Sequence, residues 1–352
     1  MLAGGAGTRF WPASRRARPK PFVRLLGDQT LLDATLERLY RVAPAPAISV
    51  VASRDLEGLT RRALREHPGV SSLFEPEARN TAPAIAWAAA NVAAREPDAI
   101  LGVFPADHHI PSASRFARTV RAAVRAAARL DRIVLIGIEP TRADTAYGYF
   151  RIEGDGTTDA APVRRFVEKP DARRALRYYR SGSYLWNAGM LVAPVSRILA
   201  ETRAHAPEVW DALGGVLERR AAGQRVGRAA IERDWRRVRP ASFDVAVLER
   251  SRRVAAVRGR FAWSDLGSWD ALAEHLPKVA GNRVRGEPPA VSIDAEQNLV
   301  WNTTGRPLVL LGVSDLVCVA TEDALLVGRK DRSQDVRRVV ADLVRRGRGD
   351  LA

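Results

Sequence analysis

The sequence contains a single cysteine, Cys318, which excludes both a disulfide within the chain and a metal site built from several cysteines. No apolar run approaches the ~20 residues that a helix needs to cross a bilayer. The first residues also lack the charged segment and apolar stretch that together mark a secretory signal peptide. From these absences we expect a soluble, cytoplasmic protein with no membrane partner.

Lysine is scarce as well, with four residues against 52 arginines in a chain whose formal net charge is +16. A charge of this size invites a nucleic-acid-binding interpretation. The arginines, however, are scattered along predicted helices and interleaved with acidic residues, and no RRM, zinc-finger or OB pattern accompanies them. We therefore expect no nucleic-acid partner, and the lysines become the cations most worth examining: Lys20, Lys169, Lys278 and Lys330.

The first two thirds of the chain alternate short apolar runs with amphipathic stretches. This pattern predicts strands over 47–53, 99–104 and 132–138 and helices over 55–67, 82–95 and 114–130. Further strands are predicted over 148–152, 163–169 and 185–193. The alternation indicates an α/β fold, in which a Rossmann-like, mostly parallel sheet is flanked by helices.

From about residue 290 the pattern changes to short apolar runs separated by polar turns, followed by a helical pattern over 333–347. Glycines and prolines cluster just before this region, between 278 and 290. The sequence therefore predicts a large domain over 1–280 and a small β-rich C-terminal domain over 290–352 that ends in a helix.

The N-terminal segment GGAGTRFWPASRRARPKPF (4–22) combines closely spaced glycines with many basic residues. Glycines let a backbone approach an anion and turn its N–H groups toward it. A P-loop is excluded because no Lys-Ser or Lys-Thr pair follows the glycines. A dinucleotide fingerprint is incomplete because Phe10 stands where its third glycine belongs. A plain turn is the alternative interpretation.

This segment resembles the signature of the sugar-1-phosphate nucleotidyltransferases, G-G-x-G-T-R-L-x-P followed by P-K-x-F. Its Trp11-Pro12 pair is similar to the branch that makes GDP-mannose. Seven further segments resemble motifs of that branch and occur in the family's order: EPEARNTAPAI (75–85), FPADH (104–108), TAYGYF (145–150), FVEKP (166–170), WNAGML (186–191), SFDVAVLE (242–249) and WSDLGSWDAL (263–272). The third departs from the family pattern because Ala146 replaces a glycine.

The resemblance implies that GTP and mannose 1-phosphate are converted to GDP-mannose and pyrophosphate with the help of Mg²⁺. Transferred residue by residue, it assigns catalysis to Arg9, Lys20, Asp107 and Asp265, with Asp107 and Asp265 also holding the metal. It assigns the nucleotide to Ala3, Gly4, Gly5, Gly7, Thr8, Asn80 and Thr81. It assigns the sugar phosphate to Gly148, Glu168, Lys169, Asn187 and Asp244.

Several of these residues also have a purely structural interpretation. Asp265 could cap the helix that follows it, and Asn80 with Thr81 could simply cap theirs. Glu168 and Lys169 could form a surface ion pair. We treat His108 and His109 as bystanders, and we expect Trp263 and Trp269 to pack in the core.

Other functions stay open at this point. The chain could use another nucleotide or another sugar phosphate, or it could be a regulatory homologue that binds sugar nucleotides without catalysis. Family members usually carry more apolar residues before LAGG, so we expect either a start codon assigned too late or a shortened first strand. The C-terminal domain of short relatives helps form a dimer, which makes a homodimer an expectation here.

Overall fold

The computed structural model describes residues 1–5, 7–154 and 160–352, and these form two compact units. Unit 1 consists of Met1–Gly4, Glu37–Pro105 and Ile110–Trp263. Unit 2 consists of Gly5–Leu36, Ala106–His109 and Ser264–Ala352. Unit 2 thus takes in segments that lie before residue 280, and the domain boundary suggested by the sequence stays a prediction.

The strands and helices follow one another along the whole chain. The strands are β1 (Ser49–Ser53), β2 (Ser71–Glu75), β3 (Ile100–Val103), β4 (Ile133–Ile138), β5 (Tyr149–Ile152), β6 (Ala161–Val167), β7 (Tyr184–Pro194), β8 (Val254–Gly259), β9 (Lys278–Val279), β10 (Asn282–Arg285), β11 (Val291–Ile293), β12 (Leu299–Asn302), β13 (Val309–Leu311), β14 (Leu316–Ala320) and β15 (Leu325–Arg329).

The helices are α1 (Leu31–Leu39), α2 (Glu57–Ala63), α3 (Thr81–Ala93), α4 (Ala113–Leu130), α5 (Ala172–Ser181), α6 (Val195–His205), α7 (Pro207–Ala221), α8 (Arg228–Trp235), α9 (Trp269–Ala273) and α10 (Val336–Arg345). Among the helices described, none combines the length and apolar character that a bilayer crossing requires.

The six-stranded sheet of unit 1 has the order β3-β7-β4-β8-β6-β5. All six residues of β4 are buried, as expected for a strand covered on both faces. β4 and β8 are parallel, whereas β7 runs antiparallel to β3, β4 and β5, so the sheet is mixed. The α/β class is confirmed, with helices flanking the sheet. The expectation of a mostly parallel sheet is corrected, because β7 pairs antiparallel with three strands.

The first residues of the chain act as a short strand of unit 1. Leu2 forms parallel bridges to Val51 of β1 and to Pro105. The Leu2 amide donates to the Phe104 carbonyl, and the Ala3 amide donates to Val51, both at 2.8 Å. The backbone just before the glycine-rich loop is therefore fixed by hydrogen bonds on both sides.

The core of unit 1 lies between the sheet and three helices, α3, α6 and α7. Helix α3 is apolar on nearly all sides, which is typical of a helix buried within a domain. Trp87 on α3 meets Trp235 on α8 edge to face, with ring centroids 6.3 Å apart. Burial of these large side chains contributes to the stability of the unit.

The C-terminal strands of unit 2 wind as a short solenoid. Strands β10, β12 and β14 pair in parallel on one side, and β11 pairs in parallel with β13 on another. β15 pairs antiparallel with β14 and forms one edge of the sheet that contains β10, β12 and β14. The β-rich C-terminal region expected from the sequence is confirmed.

Tryptophans join the solenoid to the N-terminal segment of unit 2. Trp269 is fully buried and lies 5.0 Å from the Phe10 ring and 5.6 Å from the Trp301 ring, measured between centroids. Its indole N–H donates to the Trp11 carbonyl at 3.1 Å. The Trp11 indole in turn donates to the Leu351 carbonyl at 2.7 Å. Trp269 is therefore a packing residue.

Gly137 in β4 offers a test of how tightly unit 1 is packed. A β-carbon added there would lie 2.6 Å from the Phe150 ring and 2.7 Å from Leu185, both of which are buried. Overpacking of this kind costs about 1–3 kcal/mol. We expect Gly137→Ala to lower the free energy of unfolding by that amount in denaturant titrations.

Gly215 in α7 provides the matched control, because no atom lies within 4 Å of its added β-carbon. Gly215→Ala should be neutral or stabilising by about 0.5–1 kcal/mol, since alanine is the better helix former. Equal destabilisation by both substitutions would contradict the packing described for β4.

Candidate active site

The glycine-rich loop of unit 2 is shaped by its contact with the segment that carries Lys20. Gly7 has φ 58, in the left-handed region that favours glycine. A β-carbon at Gly7 would lie 2.7 Å from the backbone nitrogen of Lys20. The Ser14 hydroxyl donates to the Gly7 carbonyl. Glycine is therefore required at position 7 because two stretches of backbone touch there.

Lys20 is the best-defined cation of the site, and its side chain is only 8% exposed. Its Nζ donates to Oδ2 of Asp107 at 2.8 Å and to the carbonyl of Asp265 at 2.5 Å. It also lies 5.7 Å from the centroid of the Phe10 ring. The structure thus brings together three of the four residues that the sequence assigns to catalysis.

Asp107 is held as a carboxylate by this environment. Burial by itself raises the pKa of its carboxyl, but the Lys20 ammonium, His108 and the hydrogen bond from Lys20 together hold the pKa below its usual range. Asp107 is consequently ionised at neutral pH, which is the form that binds a cation.

A short bridge brings the two aspartate segments side by side. The His109 amide donates to the Ser264 carbonyl at 2.9 Å, and the Ser264 amide donates back at 3.0 Å. The His109 ring packs on His275, with centroids 4.6 Å apart. Helix α9 is capped by the Ser268 hydroxyl, so the capping role considered for Asp265 belongs to another residue.

Arg9, the fourth predicted catalytic residue, lies near Asp265 at Gly267. A β-carbon added at Gly267 would lie 2.9 Å from Oδ2 of Asp265 and 3.3 Å from Nη1 of Arg9. Gly267 therefore leaves the space in which the carboxylate and the guanidinium both sit. Arg9 itself is exposed to solvent.

Two carboxylates alone do not make a complete metal site. Within the described ranges, no group of three or more histidine, cysteine, aspartate or glutamate side chains is placed to hold a metal ion. Asp107 and Asp265 nevertheless supply hard oxygen donors. The ion pair with Lys20 shows that the Asp107 carboxylate binds a positive charge. The two carboxylates suit Mg²⁺ when phosphate oxygens complete the coordination shell.

In unit 1 the structure brings together the five residues that the sequence assigns to the sugar phosphate. Asn187 Nδ2 donates to Oδ1 of Asp244 at 2.7 Å, and the Asn187 amide donates to the Gly148 carbonyl at 2.8 Å. Lys169 Nζ donates to Oε1 of Glu168 at 2.8 Å. A β-carbon at Gly148 would lie 2.5 Å from Oε2 of Glu168, so only glycine leaves this carboxylate room.

Asp244 begins a π-helical turn, Asp244–Leu248, of the kind often found at functional sites. Burial, reinforced by the nearby Glu168 carboxylate, raises the pKa of Asp244 to about 6. The Glu249 carboxylate accepts a hydrogen bond from the Glu168 amide at 2.8 Å, a contact that the sequence analysis missed. The cluster is rich in acceptors that suit sugar hydroxyls.

The predicted nucleotide-binding residues divide between the two units. Ala3, Gly4, Asn80 and Thr81 belong to unit 1, and Gly5, Gly7 and Thr8 belong to unit 2. Asn80 caps α3 by accepting from the Thr81 amide at 2.8 Å, and the Thr81 hydroxyl accepts from the Phe243 amide at 2.9 Å. Both residues therefore have a structural role at the start of α3.

Glu75, at the end of β2, is a candidate that the sequence analysis did not single out. It is 5% exposed, and among the described residues its Oε2 meets no hydrogen-bond donor. Burial raises the pKa of its carboxyl to about 8. The available signal was its place as the first residue of the EPEARNTAPAI segment. A buried acceptor without a donor suits a ligand that brings N–H groups.

Comparison with known proteins places the chain among nucleotidyltransferases. Residues 1–281 match the family described as nucleotidyl transferase. Residues 289–343 match the family described as mannoseP isomerase/GMP-like beta-helix domain. Together the two matches span most of the chain.

Individual relatives agree with the family matches. The chain is 35% identical to the Escherichia coli protein named mannose-1-phosphate guanylyltransferase, over 97% of this chain and 72% of the relative. It is also 35% identical to the Pseudomonas aeruginosa alginate biosynthesis protein AlgA, over 99% of this chain and 73% of the relative. A crystal structure from Thermus thermophilus, described as a mannose-1-phosphate geranyltransferase, has a TM-score of 0.87 at 35% identity and covers 97% of this chain and 98% of its own.

The raised pKa of Glu75 predicts how stability changes with pH. The carboxyl releases its proton near pH 4.5 in the unfolded chain but near pH 8 in the folded protein. The unfolded state alone is therefore deprotonated between these values, and the folded state loses stability as pH rises through this window. Between pH 5.5 and 7.5, Glu75→Gln should gain about 2 kcal/mol of unfolding free energy relative to the wild type.

Denaturant titrations at both pH values measure this difference. Glu77→Gln is the control, because Glu77 is paired with Arg79 at the surface. Its stability should follow that of the wild type at both pH values. Parallel pH profiles for Glu75→Gln and the wild type would show that Glu75 is ionised in the folded protein.

Proposed function

We propose that this chain, which belongs to the nucleotidyl transferase family, forms GDP-mannose and pyrophosphate from GTP and α-D-mannose 1-phosphate. A phosphate oxygen of the sugar phosphate forms a bond to the α-phosphorus of GTP. The bond from that phosphorus to the oxygen bridging the α- and β-phosphates breaks, and pyrophosphate leaves. Because both substrates are polyanions, the protein must neutralise charge and align the attacking oxygen.

The observation that carries this proposal is the position of the Lys20 ammonium in unit 2. It is a buried cation, held 2.8 Å from the Asp107 carboxylate, beside a loop whose glycines allow close approach of phosphates. We assign Lys20 to the α-phosphate and the departing pyrophosphate. Arg9, whose forked guanidinium suits phosphate oxygens, neutralises the pyrophosphate. The backbone N–H groups around Gly5, Gly7 and Thr8 donate hydrogen bonds to the triphosphate.

We assign Asp107 and Asp265 to a magnesium ion, for which their oxygen donors are suited. Bound Mg²⁺ supplies positive charge that stabilises the triphosphate and its leaving group. The two carboxylates would hold that charge in unit 2, and phosphate oxygens of the substrate would be its further ligands.

The preference for guanine is supported by Glu75 in unit 1. The edge of guanine offers two adjacent N–H donors, at N1 and the 2-amino group, whereas adenine has no donor at its N1. A carboxylate accepts both donors of guanine, and this pairing would favour the ionised form of Glu75. We therefore assign Glu75 to the base.

The sugar phosphate is assigned to the acceptor cluster of unit 1. Asp244, Glu168 and Asn187 offer oxygens to the sugar hydroxyls, and Lys169 meets the phosphate. We also propose a cytoplasmic location, which fits a reaction that consumes GTP.

We further propose that the protein forms a homodimer through the outer face of β11 and β13. Val291 pairs with Val309 and Ile293 with Leu311, and all four side chains are 49–67% exposed. Neither strand contains a charged residue, so a second copy can cover this face without burying charge despite the net charge of +16.

Pyrophosphate release tests the proposed reaction. Purified protein with Mg²⁺ is incubated with each of four nucleoside triphosphates and several hexose 1-phosphates. We expect release with GTP and mannose 1-phosphate at least about 100-fold above any other pair, because polar recognition of base and hydroxyls excludes the analogues. Asp107→Asn and Asp265→Asn should reduce this rate to background.

Asp331→Asn is the control for these variants, because its pair with Arg329 lies at the surface of the same unit. Release confined to another pair of substrates would keep the reaction class and overturn the assigned specificity. No release with any pair would favour a regulatory homologue that binds sugar nucleotides.

The mass of the protein by light scattering tests the homodimer. Wild type should have twice the mass of one chain, and Leu311→Asp should be monomeric because it places a charge in the apolar face. Leu325→Asp is the control, since Leu325 is 62% exposed but lies in the other sheet. A monomeric wild type would refute the dimer.

A further inference from the structure

The Lys20 ammonium is hydrogen-bonded to the carboxylate of Asp107, one of the two residues that we assign to the metal ion. It donates to Oδ2 of Asp107 and to the Asp265 carbonyl, and the Phe10 ring lies on a third side. The Lys20 side chain is 8% exposed, so water reaches little of it. In this arrangement the carboxylate already has its counter-ion.

A divalent cation and this ammonium cannot both stay on the same carboxylate at low cost. Two positive charges a few ångströms apart repel each other, and the repulsion grows where water is excluded. Displacing Lys20 alone would leave a buried ammonium without an anion, which is strongly unfavourable. A triphosphate removes this cost, because its oxygens accept the ammonium that the carboxylate releases.

We propose that Lys20 makes Asp107 a conditional metal ligand, which binds a divalent cation only when a nucleoside triphosphate arrives to take over the Lys20 ammonium. This inference rests on the proposed function, since it concerns the same site. It adds that metal and triphosphate bind as one coupled event. Linkage requires the coupling to be reciprocal, so each ligand strengthens the binding of the other by the same factor.

The scarcity of lysine makes the exchange directly observable by NMR. Protein labelled with ¹³C and ¹⁵N only in lysine gives four side-chain signals, from Lys20, Lys169, Lys278 and Lys330. Substitution of each of the last three by glutamine assigns Lys20 by elimination. The protein is titrated with Mg²⁺ alone, with GTP alone and with both. Sugar phosphate is left out, so that no reaction takes place.

We expect the Lys20 signal to stay in place with Mg²⁺ alone and to shift when Mg²⁺ and GTP are both present. A shift with Mg²⁺ alone would overturn the proposal, because the metal would then displace Lys20 unaided. Calorimetry with Mg²⁺ and GTP separates the remaining cases. Binding without a Lys20 shift overturns this inference only, and absence of binding overturns the proposed function as well.

A metal titration on variants tests the same point without nucleotide. Lys20→Gln removes the competing ammonium and should strengthen Mn²⁺ binding at least about tenfold over the wild type, as followed by electron paramagnetic resonance. A neighbouring cation lowers the affinity of a carboxylate for a proton by about that factor or more, and a metal ion meets the same repulsion. Lys330→Gln removes the same charge from the same unit, where Lys330 lies 3.7 Å from Asp270. Equal Mn²⁺ affinity in the two variants would overturn the proposal.

Discussion

An ammonium and a carboxylate 2.8 Å apart, those of Lys20 and Asp107, join segments of unit 2 that are 87 residues apart in the sequence. The same ammonium donates to the carbonyl of Asp265, which lies 245 residues from Lys20 along the chain. One buried cation thus fixes the glycine-rich loop, the turn with Asp107 and the segment before α9. The backbone of Lys20 also lies against Gly7, so the same residue limits the path of the loop.

Three carboxyl groups of the proposed sites fall into two electrostatic classes. Burial without a strong cation raises the pKa of Glu75 and Asp244, whereas the Lys20 ammonium outweighs burial at Asp107 and lowers its pKa. The first class suits ligands that bring hydrogen-bond donors, as bases and sugars do. The second suits ligands that bring positive charge. The sites that we propose for base and sugar thus share one of these environments, and the site that we propose for the metal has the other.

Much of the fold was predictable because long buried elements carry strong periodic patterns. β4 and α4 agree with their predicted positions, and the C-terminal strands occur where polar turns separate short apolar runs. β2 was missed because only its last residue, Glu75, is fully buried and no apolar period marks it. The antiparallel direction of β7 was not predictable, since strand direction depends on pairing partners that are distant in the sequence.

The sequence by itself determined the family, through motifs whose residue types and order are readable without coordinates. It also indicated most of the chemical groups, since glycines, aspartates and a rare lysine are informative by type and spacing. Only the tertiary structure decided which groups meet: that Lys20 neutralises Asp107, that Ser268 caps α9, and that Glu75 is buried without a donor among the described residues. The physical reason is that charge states and hydrogen bonds depend on burial and on contacts between distant segments, which no local pattern encodes.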